Sequence, residues 1–218
     1  MIQKSTIDFL KKLKKNNNRE WFDKNKHLYE AAKEDVTQFV QKIIEEFSKN
    51  DPSIKGTDAK KCMFRIYRDV RFSKNKDPYK TNMGAWLNSN GKNAKTAGFY
   101  FHIEPEKSFI AGGIYMPEAP ELKKIRQEID YNAAAFKKII SNVAFKKTWG
   151  QLEGMKLVNP PKGYDKTHPE VELLKHTSFV VSHQLNESEL YEKGLLKTIS
   201  AAHKAMMPFK QFLDAAVS

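Results

Sequence analysis

Residues 98–116 read GFYFHIEPEKSFIAGGIYM. In Gly98–Glu104, Phe99, Phe101 and Ile103 alternate with Tyr100 and His102, the period-two pattern of a strand with one face in the core. Glu104-Pro105-Glu106-Lys107 is a turn composition, and it leads into a second apolar run, Phe109–Met116. Two strands joined by so short a connection are antiparallel neighbours. Upstream, Met83–Asn88 is a further strand candidate, followed by the turn signal Ser89-Asn90-Gly91. Thr177–Leu185 predicts another strand downstream, and Cys62–Val70 predicts one before the hairpin.

Helical patterns flank this sheet. Residues 5–15 predict an amphipathic helix, with Ile7, Leu10 and Leu13 on one face and Ser5 and Asp8 spaced as a capping box. After Asn16-Asn17-Asn18, a long helix is predicted from Arg19 to Ser48, capped by Asn17 with Glu20 in third position. Its buried stripe is Phe22, Tyr29, Val36, Phe39, Val40, Ile43 and Phe47, and Asp51-Pro52 lies beyond its end. Pro120–Ile129, Asn132–Asn142 and Val171–Lys175 predict shorter helices. The last element starts at Asn186, with Glu189 completing its cap; Leu195, Ile199, Ala202, Met206, Phe209 and Leu213 form its stripe. Pro208 predicts a kink or break near Lys204. The fold class expected is α+β, a mostly antiparallel sheet packed against long N- and C-terminal helices. No linker, repeat or low-complexity tract divides residues 1–218, so a single domain is expected.

Composition narrows the class. The single cysteine, Cys62, excludes an intramolecular disulfide and a multi-cysteine zinc cage. Lys4, Asp8, Lys11 and Lys12 interrupt any signal-peptide core, and no run approaches the roughly 20 apolar residues of a membrane span. A soluble, cytoplasmic protein is expected, with no membrane partner. The net charge of +12 is uneven: residues 51–100 hold eleven Lys and Arg against four Asp and Glu, a surplus of seven. So local an excess points to an anionic partner.

Its centre is Cys62–Lys80, CMFRIYRDVRFSKNKDPYK. In an extended chain Arg65, Tyr67, Asp69 and Arg71 share one face, and Phe64, Ile66, Arg68, Val70 and Phe72 the other. Asp69 would then sit between two guanidiniums. Lys74, Lys76 and Lys80 follow around the rigid Pro78. Arg65, Arg68, Asp69, Arg71, Lys74, Lys76, Tyr79 and Lys80 are the candidate anion-binding residues: planar forks, point charges and a tyrosine hydroxyl. The pattern Arg65-x-x-Arg68-Asp69-x-Arg71-Phe72-x-x-Asn75-Lys76-x-x-Tyr79 resembles the signature of an uncharacterised domain-of-unknown-function family of conserved hypothetical proteins, bacterial with fungal relatives. Phe9-Leu10 with Asn17–Phe22, and Gly112-Gly113-x-Tyr115-x-Pro117, are similar too. The resemblance implies a shared fold and no particular activity.

Three functions stay open: a module binding a phosphate-bearing or other anionic ligand, nucleic acid among the candidates; an enzyme using the same cations on an anionic substrate, with Asp69 or Tyr79 as acid or base; and a structural ion-pair network with function elsewhere. Gly112-Gly113 reads as a bulge or close packing in preference to a phosphate loop, and Tyr115 as ordinary packing. His102-x-Glu104 lacks the Pro-Cys-x-x-Cys of a zinc deaminase. Asp165-x-x-His168 is a polar loop, Cys62 a small core residue, and Trp21, Trp86 and Trp149 read as core before stacking platforms. No metal-ligand spacing appears, and no cofactor is implied.

Overall fold

The computed structural model describes residues 1–218. The period-two runs form a four-stranded antiparallel sheet in the order β1 (Met83–Leu87), β2 (Gly98–Ile103), β3 (Ser108–Ile114), β4 (Phe179–Leu185). The architecture is α+β, with long N- and C-terminal helices packed on the sheet. No helix is long and apolar enough to cross a membrane. The contacts divide the chain into two compact units. The first comprises Met1–Lys92, Tyr100–Ile110 and Gln184–Ser200; the second comprises Asn93–Phe99, Ala111–His183 and Ala201–Ser218.

In the first unit, α1 (Lys4–Lys15) buries Ile7, Leu10 and Leu13 as its spacing requires. Its N-terminus is not a capping box. The Gln3 N–H and the Thr6 hydroxyl both donate to Asp35 of α3, at 2.9 and 2.6 Å, so a carboxylate from a neighbouring helix takes the cap's place. The long helix predicted from Arg19 is two helices, α2 (Arg19–Lys24) and α3 (Lys26–Phe47). They part at Asn25, whose side-chain amide donates to the Trp21 carbonyl and competes with the backbone ladder. Phe39 of α3 lies 5.5 Å from Phe101 of β2, ring centre to ring centre, which fixes the core face of the sheet. The final helical region opens at α9 (Glu187–Leu190) with the predicted capping box of Asn186 and Glu189.

The second unit holds α5 (Ala119–Tyr131), α6 (Ala133–Ser141), α7 (Val143–Trp149) and α8 (Val171–Leu174). The sequence does not predict α7, which Asn142 caps through the Ala144 and Phe145 amides. Phe136 and Phe145 pack on Phe209, and the Trp149 indole donates to the Ala202 carbonyl at 3.2 Å. Of the kink or break expected near Lys204, the break does not occur: α10 (Leu195–Val217) runs through Pro208 as one helix. The proline ring points to solvent, while Met206, Phe209 and Leu213 are buried and hold the helix on both sides of it. Gly112 and Gly113 are packing residues. A Cβ at Gly112 would overlap Met206, and one at Gly113, where φ is +117°, would meet the Phe179 carbonyl at 2.1 Å.

Residues 153–157 add a short antiparallel pairing beside His176–Val180. His176 is buried there with Nδ1 unpartnered. Burial, then the nearby Lys156, pushes its pKa down to about 4. Between pH 6.5 and 4 the unfolded chain therefore binds this proton better, and stability falls as pH drops through that window. The loss should reach about 2 kcal/mol at pH 5. His102, lowered in the same direction, adds to it. Urea midpoints at pH 7 and pH 5 should differ clearly in the native chain and much less in His176→Phe; equal differences in the two would contradict the assignment.

Candidate functional site

The basic motif lies in the first unit, between α4 (Ala59–Cys62) and β1. It is not the strand predicted over Cys62–Val70. Cys62 closes α4, and Met63–Asn82 is an irregular strap with two isolated bridges, Met63 to Ala85 and Tyr67 to Tyr79. The strap folds back on itself: the Arg68 N–H donates to the Pro78 carbonyl (2.9 Å) and the Lys80 N–H to the Ile66 carbonyl (2.7 Å). Residues 69–77 are the loop this clip closes. Period-two faces accordingly fail. Ile66 is buried, yet Phe64 and Phe72, predicted on its face, are 40% and 96% exposed.

Asn17 holds the clip to the N-terminal helices. Its side chain accepts from the Tyr79 N–H (3.1 Å) and donates to the Tyr79 carbonyl (2.9 Å), as a neighbouring strand would. It is therefore not the cap of α2. Asn18 takes that role, accepting from the Trp21 amide. The Tyr79 ring is buried and stacks on Phe22 at 3.9 Å with planes 13° apart. Tyr67, half exposed, closes the cluster at 5.5 Å from Tyr79. Burial raises the Tyr79 hydroxyl pKa, so that ring serves the anchor.

The charged residues divide. Arg68 braces the loop, donating to the Asp77 carbonyl (3.0 Å) and to the Ser73 hydroxyl (3.4 Å). Asp69 feels both Arg65 and Arg71 but hydrogen-bonds to only one of them. It takes a fork from Arg71 alone, at 3.0 and 2.7 Å, and these bonds, with a lesser field from Arg65, hold its carboxyl below the usual range. The Arg71 side chain is nevertheless 76% exposed. Lys76 donates to the Val70 carbonyl (3.1 Å), and Arg65 and Lys74 face solvent.

A second group of cations gathers around the Phe64 ring. Lys80 Nζ stands 5.5 Å and Lys92 Nζ 5.2 Å from its centre, and Lys92 also donates to the Met63 carbonyl. Burial first, then the charges of Arg65 and Lys92, lower the Lys80 pKa. Both fields acting on this ammonium are positive. The Phe64 ring edge in turn meets Tyr100 of β2. There the Tyr100 hydroxyl lies 3.0 Å from His102 Nδ1, and His102 Nε2 lies 3.3 Å from Glu104. A carboxylate only accepts, so Nε2 carries the proton and Nδ1 receives the Tyr100 hydroxyl. Burial, reinforced by Glu104, pushes Tyr100 up to about 12 and keeps it a donor. Burial also lowers His102, against the pull of Glu104.

Phe64, Lys92, Tyr100 and His102 were not among the candidates. The Tyr100–His102–Glu104 line was legible as alternate residues on one strand face; Lys92, far along the chain from Phe64, carried no such signal. The structure also has a hollow of about 300 Å³ lined by Asp58, Lys61, Cys62, Trp86 and Asn88 among others. None of the eight candidate anion-binding residues lines it, and burial raises the Cys62 thiol pKa despite Lys92. An enzyme working through Arg65, Arg68 or Arg71 has no support from that hollow.

The family model of the conserved hypothetical proteins DUF2461 matches residues 5–212. The chain belongs to this family. No curated protein and no solved structure matches it. DUF2461 membership thus covers the strap, its anchor and the sheet together, and carries no activity with it.

The anchor and the exposed fork should respond differently to substitution. Asn17→Ala strands two backbone groups of Tyr79 and should cost about 2 kcal/mol, with faster amide exchange at Arg68 and Lys80. Arg71→Ala removes a solvent-exposed pair and should leave the urea midpoint essentially unchanged. A collapse of stability in Arg71→Ala would instead favour a structural ion-pair network.

Proposed function

We propose that this DUF2461 chain is a binding module for a phosphate-bearing anion, held by the cations of the strap and by Lys92. The observation that carries this reading is the meeting of Lys80 and Lys92 at the Phe64 ring, where burial first, then the charges of Arg65 and Lys92, lower the Lys80 pKa. Such crowding raises the free energy of the unliganded protein, and an anion seated among the three relieves it. Arg71, Lys74 and Lys76 extend the positive surface along the loop. Arg68, Asp69 and Tyr79, taken from the sequence as ligand residues, act in this reading by shaping that surface. The buried free thiol of Cys62 supports work in the reducing cytoplasm.

Inorganic polyphosphate is a suitable first probe because it offers phosphates and nothing else. It should raise the melting temperature at low salt, with the shift shrinking steeply as salt increases. The double variant Arg65→Ala, Lys80→Ala should weaken its binding about tenfold or more while leaving the fold intact by circular dichroism. Binding that is indifferent to both salt and these substitutions would remove the strap as the receptor.

A further inference from the structure

We infer that the partner is single-stranded nucleic acid, with unpaired bases stacking on the exposed rings of the strap while its cations hold the phosphates. This rests on the anion-binding reading and adds what phosphate alone leaves unexplained. Phe72 is 96% exposed, Tyr67 50% and Phe64 40%. One exposed aromatic ring is unremarkable on any protein. Here three occur within nine residues, alternating with Arg65, Arg68, Arg71 and Lys74. Burying a phenylalanine is favourable, so a ring left in water at a loop tip is apolar surface held ready for a partner.

The loop is also built to keep Phe72 outward. Its base is closed by the Arg68 and Lys80 amide bonds, and Arg68 and Lys76 donate to the loop carbonyls of Asp77 and Val70. Asn75 caps the turn by accepting from the Asp77 amide (2.7 Å). Phe72 is consequently excluded from the loop's own packing. Two of the three rings have a cation beside them: Arg71 lies 5.7 Å from the Phe72 centre, and Lys80 and Lys92 flank Phe64. A base on the ring and a phosphate on the adjoining cation is the arrangement by which proteins track a single strand without reading its sequence.

Two other polyanions fit less well. A duplex hides the base faces, so it would use the cations and waste the rings. An anionic membrane would accept Phe72, but the neighbours of that ring are Arg71, Ser73, Lys74, Asn75 and Lys76, with no second apolar side chain at the tip to enter the bilayer with it.

The test is fluorescence anisotropy of the full chain with four probes: an oligothymidine of about 15 nucleotides, an abasic phosphodiester strand and a duplex of the same length, and phosphatidylserine-containing vesicles, each at about 50 and 200 mM salt. Oligothymidine should bind most tightly and lose affinity steeply with salt. Phe72→Ala should weaken it about tenfold and leave the abasic strand unchanged, whereas Phe72→Trp should retain or improve binding. Equal affinity for the abasic strand, or preference for duplex or vesicles, would overturn the inference and leave the anion-binding reading standing. Failure of every probe at low salt would remove both.

Discussion

The strap depends on one side chain. Asn17 presents an acceptor and a donor to the peptide of Tyr79, and this pair of bonds substitutes for a strand that the sheet does not supply. Around it, Phe22 stacks on Tyr79 and Tyr67 leans on both, so a polar clip is shielded by aromatic surface. Shielding matters because a backbone bond exposed to water contributes little, while one kept dry is costly to break. With Tyr79 fixed, the Arg68–Pro78 and Lys80–Ile66 bonds close the loop at a defined register. Everything that faces solvent beyond that point inherits its position from an asparagine in the connection between α1 and α2.

Electrostatics then separates the charges by role. Where a cation is satisfied by a neighbour, as Arg68 is by the Asp77 carbonyl, it fixes the chain. Arg71 occupies a middle position, forked onto Asp69 yet largely in water, and solvent screening leaves such a pair easily exchanged for a phosphate. Arg65, Lys80 and Lys92 are placed so that their fields add. A protein selected only for stability gains nothing from that arrangement, because like charges at short range oppose folding. In the proposed reading, the crowding of Lys80 by Arg65 and Lys92 is a cost carried by the free protein and offset on binding.

Much of the fold was legible because it rests on periodicities that burial enforces. Phe99, Phe101 and Ile103 had to share a face, and Leu195 through Leu213 had to form a stripe, whatever else the chain did. The errors fall where tertiary contacts override local pattern. Asn17 has the composition of a helix cap and is recruited by Tyr79 instead; Ser5 and Asp8 have the spacing of a capping box and are displaced by Asp35. Alternation of charged and apolar residues over Cys62–Val70 imitates a strand, but with Phe64 and Ile66 on opposite sides of the solvent boundary it cannot be one. The eight candidate residues all fall on the strap of the first unit. Their partition into braces, anchor and free cations was not visible, since it is decided by which carbonyls the loop happens to offer.

The Tyr100–His102–Glu104 line gives the strap a rigid floor and makes its electrostatics one-sided. Tyr100 lies across Gly84, where a side chain would collide with its ring and hydroxyl, so β1 and the phenol meet without a gap. Its high pKa and the depressed pKa of His102 keep both groups neutral near pH 7. Thr81, at the end of the strap, reaches Glu104 at 3.3 Å, which places the one nearby carboxylate at the far end of the line, engaged by a hydroxyl and an imidazole. A neutral floor neither cancels the cations around Phe64 nor adds a charge that a ligand would have to dehydrate. In the proposed reading, the positive field around the ring is left for an incoming anion to neutralise.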